Sequence, residues 1–203
     1  MEDIKAIIFD WGGVCCNEGE PFASEALQKT LSLNPEQIAE KARNIYDGYY
    51  TGKYNSDSFW REIMHFFKLK ENLEINPCSL SEAYLNSYGI YPDIMGVILK
   101  LRKKYKLGLL SNLTPEMRNK IKKKHDLEKY FDAEVFSCDA DVAAMKPDSK
   151  PYKAISDKLG VPMKKCLFID NSLKNIDAAK RLGMKTILFS NKEAFLKDII
   201  NFL

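Results

Sequence analysis

Short, uninterrupted apolar runs recur along the chain and are separated by helical patterns. Four runs are clear, at residues 6–9, 107–110, 166–169 and 186–189, and a weaker one lies at 133–136. Parallel strands that are covered on both faces have this pattern. Between them, Ile94, Val97, Ile98 and Leu101 keep one helical face, and the helical patterns at 147–160 and 173–183 both end on glycine. This alternation predicts an α/β fold with a doubly wound parallel sheet, similar to a Rossmann core.

The first crossover is unusually long. About a hundred residues separate the first two runs, whereas a strand-helix-strand unit needs about thirty. Residues 21–90 show no clear strand, but they carry amphipathic patterns: Ile38, Ala42, Ile45 and Tyr49 on one predicted helix, and Phe59, Ile63, Phe66 and Phe67 on the next. We therefore predict a small helical cap domain at 17–90 and an α/β core formed by 1–16 and 91–203, with candidate hinges at 17–20 and 89–92.

Composition excludes several classes of protein. The 203 residues are 45% hydrophobic and 29% charged, with a net charge of +3, which argues against disorder. No apolar run is long enough to cross a bilayer, and the N-terminal residues lack the pattern of a signal peptide. Five cysteines without paired spacing indicate a reduced, cytoplasmic protein.

A basic run at 118–125 carries no interleaved aromatic residue and no recognition motif, so we interpret it as a solvated helix face. We accordingly expect no nucleic-acid partner and no membrane partner. The sequence gives no indication of the oligomeric state.

Three apolar runs end abruptly in polar residues. The run at 6–9 is followed by Asp10, the run at 107–110 by Ser111 and Asn112, and the run at 166–169 by Asp170. Carboxyl ends of parallel strands meet at one edge of a sheet, where ligands bind, so these side chains should converge. Taken singly, each is better explained as the N-cap of the following helix. The three together favour a binding site.

The residues around these strand ends resemble the motifs of the haloacid dehalogenase-like hydrolases. The first motif is similar to Ile7-Ile8-Phe9-Asp10-Trp11-Gly12-Gly13-Val14, the second to Leu109-Leu110-Ser111-Asn112, and the third to Met145-Lys146-Pro147. The fourth is similar to residues 167–179, which begin Leu167-Phe168-Ile169-Asp170. All four stand in the order of that family, and the helical insertion falls where the family carries a cap. The resemblance spans the whole predicted core.

The resemblance implies hydrolysis of a small phosphorylated metabolite through an aspartyl-phosphate. Asp10 would be the nucleophile, and Mg²⁺ would be held by Asp10, Asp170 and the Gly12 carbonyl. Lys146 would neutralise the nucleophile and the transferring oxygens, and the Ser111 hydroxyl would hold a further phosphate oxygen. The family pattern leaves two roles open for Asn112, which are orienting the substrate and capping the next helix.

The sequence departs from the family pattern at two positions. Most phosphatases of the family carry a second aspartate, which acts as acid and base, where this chain has Gly12. The fourth motif has Asn171 in place of a common acidic residue, and Asn175 is placed to support that loop.

These departures keep two alternatives open. One is a 2-haloacid dehalogenase, in which Asp10 would displace halide from carbon without a metal. The other is a non-catalytic phosphate sensor or partner-binding protein that has lost its acid/base residue.

In the cap, several polar aromatic residues surround Gly48 and Gly52 and are candidates for substrate contact: Tyr46, Tyr49, Tyr50 and Tyr54, together with Lys53. A buried helical stripe explains at least half of them equally well.

Overall fold

The computed structural model describes residues 4–17, 28–29, 31–69 and 89–202. Its centre is a parallel sheet of five strands: β1 (Ala6–Phe9), β2 (Lys106–Ser111), β3 (Ala133–Phe136), β4 (Cys166–Asp170) and β5 (Lys185–Leu188). The strand order is β3-β2-β1-β4-β5. The chain moves outward from β1 to β3 and then returns to the other side of β1. The predicted doubly wound sheet is therefore confirmed, with β1 at the switch in strand order.

Helices cover both faces of this sheet because successive strand residues point in opposite directions. In β1, Ile7 and Phe9 pack with α4 (Pro92–Leu101), α5 (Pro115–Lys124) and α8 (Lys192–Ile199). Ala6 and Ile8 pack on the other face with α6 (Ser149–Leu159) and α7 (Leu173–Arg181). Helix α6 ends at Gly160, whose φ of 63° is the left-handed conformation that this C-terminal position favours.

The described residues between β1 and α4 form three further helices: α1 (Pro35–Lys41), α2 (Arg43–Tyr50) and α3 (Ser56–Phe66). We call residues 31–69 the helical insert. Its buried residues form a cluster separate from the two faces of the sheet, namely Ile38, Ala42, Tyr46, Tyr49, Phe59, Trp60 and Ile63. The predicted limits of the cap, 17 and 90, stay a prediction because residues 18–27, 30 and 70–88 lie outside the described part of the chain.

The two connections between sheet and insert run side by side. The Asn17 N–H donates to the carbonyl of Gly89 (3.2 Å), and the Tyr91 N–H donates to the carbonyl of Cys15 (2.8 Å). An insertion whose ends meet in this way leaves the strand order of the core intact. The chain therefore leaves the sheet and returns to it at one point, next to the end of β1.

The structure corrects three local expectations. Phe66 is half exposed rather than part of the buried stripe of α3. The fifth strand begins and ends one residue earlier than predicted, because Phe189 leaves the sheet and packs on Phe195 with ring centroids 5.3 Å apart. The single amphipathic pattern around Ala42 is two helices, since Ala42 has non-helical angles (φ −99°, ψ 25°).

Candidate active site

Three neighbouring strands bring polar side chains to one edge of the sheet. Phe9 of β1 pairs with Ile169 of β4, so the residues that follow, Asp10 and Asp170, leave the two strands side by side. The Asp10 N–H donates to the carbonyl of Ile169 (2.9 Å), which extends the ladder by one residue. Ser111 ends β2 on the other side of β1. The convergence expected from the sequence is therefore present.

Lys146 joins the two aspartates although it lies far from both in the sequence. Its Nζ lies 3.0 Å from Asp10 Oδ1 and 2.7 Å from Asp170 Oδ2. It also donates to the carbonyl of Leu110 (2.9 Å). Only 4% of Lys146 is exposed, 8% of Asp10 and none of Asp170. A buried ammonium group is thus held between two buried carboxylates, with each of its three protons directed at an oxygen.

Charge in this site is unbalanced. With all three groups ionised, two carboxylates face one ammonium, which leaves one buried negative charge. The pKa of the Asp10 carboxyl is raised from 3.8 to about 6, first because burial penalises its charged form and further because Asp170 repels it. The charge of Lys146 and hydrogen bonds from Lys146 and Ser111 act in the opposite direction. The charge of the Asp10 carboxylate is therefore only partly neutralised by its neighbours.

Asp170 is fixed by the loop that follows it. Its Oδ1 accepts from the Ser172 N–H (2.8 Å), and both of its oxygens lie 3.1 Å from Asn175 Nδ2. The sequence placed Asn175 as a support for this loop, and the structure confirms that placement. These bonds orient the carboxylate before any ligand binds.

Ser111 and Asn112 differ in what they contact. Ser111 is buried beside Asp10, as predicted. The amide of Asn112 accepts from the Lys146 N–H (2.9 Å) and donates to the Lys146 carbonyl (3.0 Å). Asn112 therefore holds the backbone of the lysine loop, and direct contact with a substrate stays a prediction. It does not cap the next helix, because Thr114 accepts the N-cap bond from Met117.

Gly12 lies two residues after Asp10 and has open space around it. A Cβ built at Gly12 meets no atom within 4 Å, and Gly12 is not among the glycines with positive φ. The left-handed residue of this turn is Gly13, with φ of 75°. The backbone at position 12 would thus accept a side chain, and the space beside the Asp10 turn is empty because the residue is glycine.

The oxygen groups of this edge fit a hard divalent cation. Asp10 and Asp170 supply carboxylates, the resemblance implies the backbone carbonyl of Gly12 as a further ligand, and the uncompensated negative charge would be relieved by a cation. Across the described residues, no group of three or more His, Cys, Asp or Glu side chains is arranged to hold a metal. A cation here would accordingly need the backbone carbonyl and water in addition to the two aspartates.

Ser137 connects the helical insert to this edge and was not identified from the sequence. Its Oγ donates to the Tyr50 carbonyl at the end of α2 (2.7 Å) and accepts from the Leu113 N–H (3.0 Å). Its own N–H donates to the Ser111 carbonyl (3.1 Å). One residue thus contacts both the insert and the backbone of Ser111. The missed signal is a polar residue directly after β3, the same pattern that marks Asp10 and Asp170.

Two further contacts dock the insert. The Ser56 N–H donates to Glu116 Oε1 of α5 at 2.7 Å. Gly52, with φ of 77°, approaches the core so closely that a Cβ there would lie 2.7 Å from the carbonyl oxygen of Cys138. Glycine is required at this position by both its conformation and its neighbour.

A cleft of about 600 Å³ lies between the insert and the loop that carries Lys146. Its walls are formed by α1, α2 and the residue before the lysine, with the lining residues Pro35, Glu36, Ala39, Glu40, Arg43, Tyr46, Asp47, Tyr50 and Met145. Of the tyrosines singled out from the sequence, Tyr49 belongs to the core of the insert and Tyr50 faces the cleft.

None of the helices in the described part of the chain is long and apolar enough to span a membrane.

Several proteins of known sequence are similar to this chain over most of its length. A protein named as a phosphatase from Mycobacterium tuberculosis is 27% identical over 197 residues, which cover 91% of this chain and 87% of that protein. An (S)-2-haloacid dehalogenase from Burkholderia cepacia is 24% identical over 195 residues, covering 92% and 83%.

A solved structure shares the fold. It is a haloacid dehalogenase family enzyme of Bacteroides thetaiotaomicron in complex with magnesium and inorganic phosphate, with a TM-score of 0.73 and 23% identity. The match covers 95% of this chain and 98% of that one. The family model described as haloacid dehalogenase-like hydrolase matches residues 4–183, which include all four motifs and the insert. The chain therefore belongs to the haloacid dehalogenase-like hydrolases.

Proposed function

We propose that this hydrolase is a magnesium-dependent phosphomonoesterase that acts on a small phosphorylated metabolite. The observation that carries the proposal is the buried Asp10 carboxylate, held beside Lys146 and Asp170 at the end of β1. A phosphatase among the similar proteins supports the same reaction class.

In the proposed reaction, a carboxylate oxygen of Asp10 attacks phosphorus, and the bond between phosphorus and the ester oxygen breaks. The products of this step are an aspartyl-phosphate and an alcohol, which takes up one proton as it leaves. Water then attacks the phosphorus of the intermediate, releasing phosphate and restoring Asp10. Lys146 neutralises the nucleophile and the phosphoryl oxygens, and the Ser111 hydroxyl binds another of these oxygens.

The Mg²⁺ site would be formed by Asp10, Asp170 and the carbonyl of Gly12. When bound, the ion offsets the repulsion between a carboxylate and a phosphate dianion. Asn175 and Ser172 keep the Asp170 carboxylate in place for this purpose. Asn112 positions Lys146 through the two bonds to its backbone.

The test is hydrolysis of an aryl phosphate and of a panel of sugar phosphates, nucleotides and phosphorylated acids, with Mg²⁺ and with a chelator. We expect turnover that requires the metal, and we expect Asp10→Asn to lower it by about a thousandfold or more. Asp198→Asn, an exposed substitution of the same kind on α8, is the matched control.

Other outcomes would select the alternatives. Halide release from a 2-haloacid in the presence of chelator, without phosphate release, would favour the dehalogenase. Phosphate binding without any turnover would favour the sensor. Retention of a tenth of the activity in Asp10→Asn would end the assignment of the nucleophile.

A further inference from the structure

A buried tyrosine is connected to the Asp170 carboxylate through a single residue. Tyr152 lies on α6, in the segment that follows Lys146, and none of its surface is exposed. Its hydroxyl donates to the main-chain carbonyl of Asn175 at 3.0 Å. The side-chain amide of Asn175 in turn lies 3.1 Å from each oxygen of Asp170. The position of the phenol therefore bears on the position of the carboxylate.

The hydrogen bond from Tyr152 fixes the backbone that carries this amide. Asn175 lies in the first turn of α7, which begins at Leu173, and the ends of helices fray more easily than their centres. The amide can contact both carboxylate oxygens only while the backbone of Asn175 keeps its place. The Tyr152 ring is itself held, since it packs edge-on against Phe168 with ring centroids 5.3 Å apart. Tyr152 thus ties the start of α7 to the sheet.

The same aromatic pair lies beneath the lysine. Phe168 is the central residue of β4, and the ammonium group of Lys146 is 5.4 Å from the centroid of its ring. Phe168 and Tyr152 are both fully buried. The Lys146 ammonium and the support of Asp170 therefore depend on one layer of packed rings.

The Tyr152 hydroxyl keeps its proton in these surroundings. Burial raises the pKa of the phenol, the charges of Asp170 and Asp10 raise it further, and the charge of Arg181 acts in the opposite direction. The hydroxyl is therefore a hydrogen-bond donor across the neutral pH range. Its contact with the Asn175 carbonyl does not depend on pH there.

We propose that Tyr152 is a positioning residue for the magnesium site, an inference that rests on the proposed phosphatase function. It acts through Asn175, which holds the Asp170 carboxylate in the orientation that a cation needs. Groups that orient a metal ligand from outside the site change metal affinity strongly when they are removed. The loss of the Tyr152 hydroxyl should therefore weaken Mg²⁺ binding and leave the chemical step with bound metal nearly unchanged.

The test measures Mg²⁺ binding directly by isothermal titration calorimetry, together with the Mg²⁺ concentration that gives half-maximal hydrolysis of phenyl phosphate. Tyr152→Phe removes the hydroxyl and keeps the ring. We expect its Mg²⁺ affinity to fall by about threefold to tenfold, which is the net effect of one hydrogen bond, and the half-maximal concentration to rise by about the same factor. At saturating Mg²⁺, kcat should stay within about twofold of the wild-type value, because the reacting groups are unchanged.

Ser156→Ala is the matched control on the same helix. The Ser156 hydroxyl is also buried, and it donates to a backbone carbonyl, that of Val161, at 2.6 Å. Ser156→Ala and Tyr152→Phe should lower the urea midpoint in chelator by similar amounts, since each loses one such bond. Ser156→Ala should leave Mg²⁺ affinity unchanged.

A double substitution separates positioning from packing. Asn175→Ala should weaken Mg²⁺ binding by about tenfold or more, because it removes the amide that contacts both oxygens of Asp170. Tyr152→Phe added to Asn175→Ala should weaken binding no further, because the group through which Tyr152 acts is gone. A tyrosine that affected the site by a separate route would give the full loss in both backgrounds.

Unchanged Mg²⁺ affinity in Tyr152→Phe, a full further loss in the Asn175→Ala background, or an equal loss in Ser156→Ala would overturn the inference while leaving the phosphatase intact. Unchanged affinity in Asn175→Ala would overturn it as well, whether or not Tyr152→Phe folds. A wild-type protein that neither binds Mg²⁺ nor hydrolyses phenyl phosphate would instead refute the proposed function.

Discussion

Placing a carboxyl group at position 12 tests how this enzyme protonates its leaving group. The family pattern has an acid at this position, and this chain has Gly12. General acid catalysis contributes about a hundredfold to ten-thousandfold, and it matters most for a poor leaving group. An alkyl alcohol has a pKa well above that of a phenol, which is about 10, so an alkoxide is the poorer leaving group. The wild-type enzyme should therefore favour aryl or acyl phosphates over alkyl phosphates.

The structure indicates that the backbone at position 12 can carry the side chain of Gly12→Asp. A Cβ at Gly12 meets nothing within 4 Å, and the left-handed turn is made by Gly13 instead. The introduced carboxyl would lie near two buried carboxylates, and the same surroundings raise the pKa of Asp10 to about 6. Repulsion by these two carboxylates would raise the pKa of the new carboxyl group in the same direction, which favours the protonated form that an acid needs.

We expect Gly12→Asp to raise kcat/KM for propyl phosphate by about a hundredfold, the lower end of the range for a general acid, and for phenyl phosphate by less than about tenfold. Gly12→Asn, which fills the same space without a proton to transfer, is the matched control and should show neither gain. Circular dichroism and Mg²⁺ titration would verify that both variants are folded and bind metal. Equal enhancement for the two esters, or none, in such a variant would mean that another group already supplies the proton.

Two other predictions follow from contacts in the same region. In chelator, the free energy of unfolding of Asp10→Asn in urea should exceed that of the wild type by about 3 kcal/mol at pH 7 and should nearly equal it at pH 3.5. The reason is that folding raises the pKa of the Asp10 carboxyl from 3.8 to about 6, so the wild-type native state loses stability from this group as the pH rises between these two values. The same difference in the free energy of unfolding at pH 3.5 and pH 7 would contradict this account. Ser137→Ala removes the hydrogen bond to the Tyr50 carbonyl, so KM should rise severalfold and protease should cleave the insert faster. Ser149→Ala, at the exposed start of α6, is the control and should change neither KM nor the rate of cleavage. Unchanged proteolysis and KM in Ser137→Ala would show that this hydrogen bond does not hold the insert.

The sheet and the convergence of Asp10, Ser111 and Asp170 could be predicted because each depends on a local pattern. A buried strand has to be apolar, and the residue that follows it is the first one free to be polar. The support of Asp170 by Asn175 is likewise local, since the two lie five residues apart in the sequence. These features follow from the chain's own periodicity.

Contacts that depend on how the insert sits on the core could not be predicted in this way. In the sequence, Ser137 is not distinguished from any other serine that follows a weak strand. Its role depends on its hydrogen bond to the carbonyl of Tyr50, which is remote in the sequence. The break between α1 and α2 at Ala42 is not visible in the sequence, because the helical spacing of apolar residues continues across it. The exposure of Phe66 depends on which neighbours are available to cover α3.

The close approach of Gly52 to Cys138 limits how near the insert can come to the core. Two backbones meet there without an intervening side chain, and a Cβ would already be 2.7 Å from the carbonyl oxygen. Rotamer changes cannot adjust such a contact, so the insert cannot move closer to the core at this point and can move away only by breaking the contact. The spacing between insert and core at Gly52 is therefore set by backbone atoms, and any side chain introduced at this position would increase it.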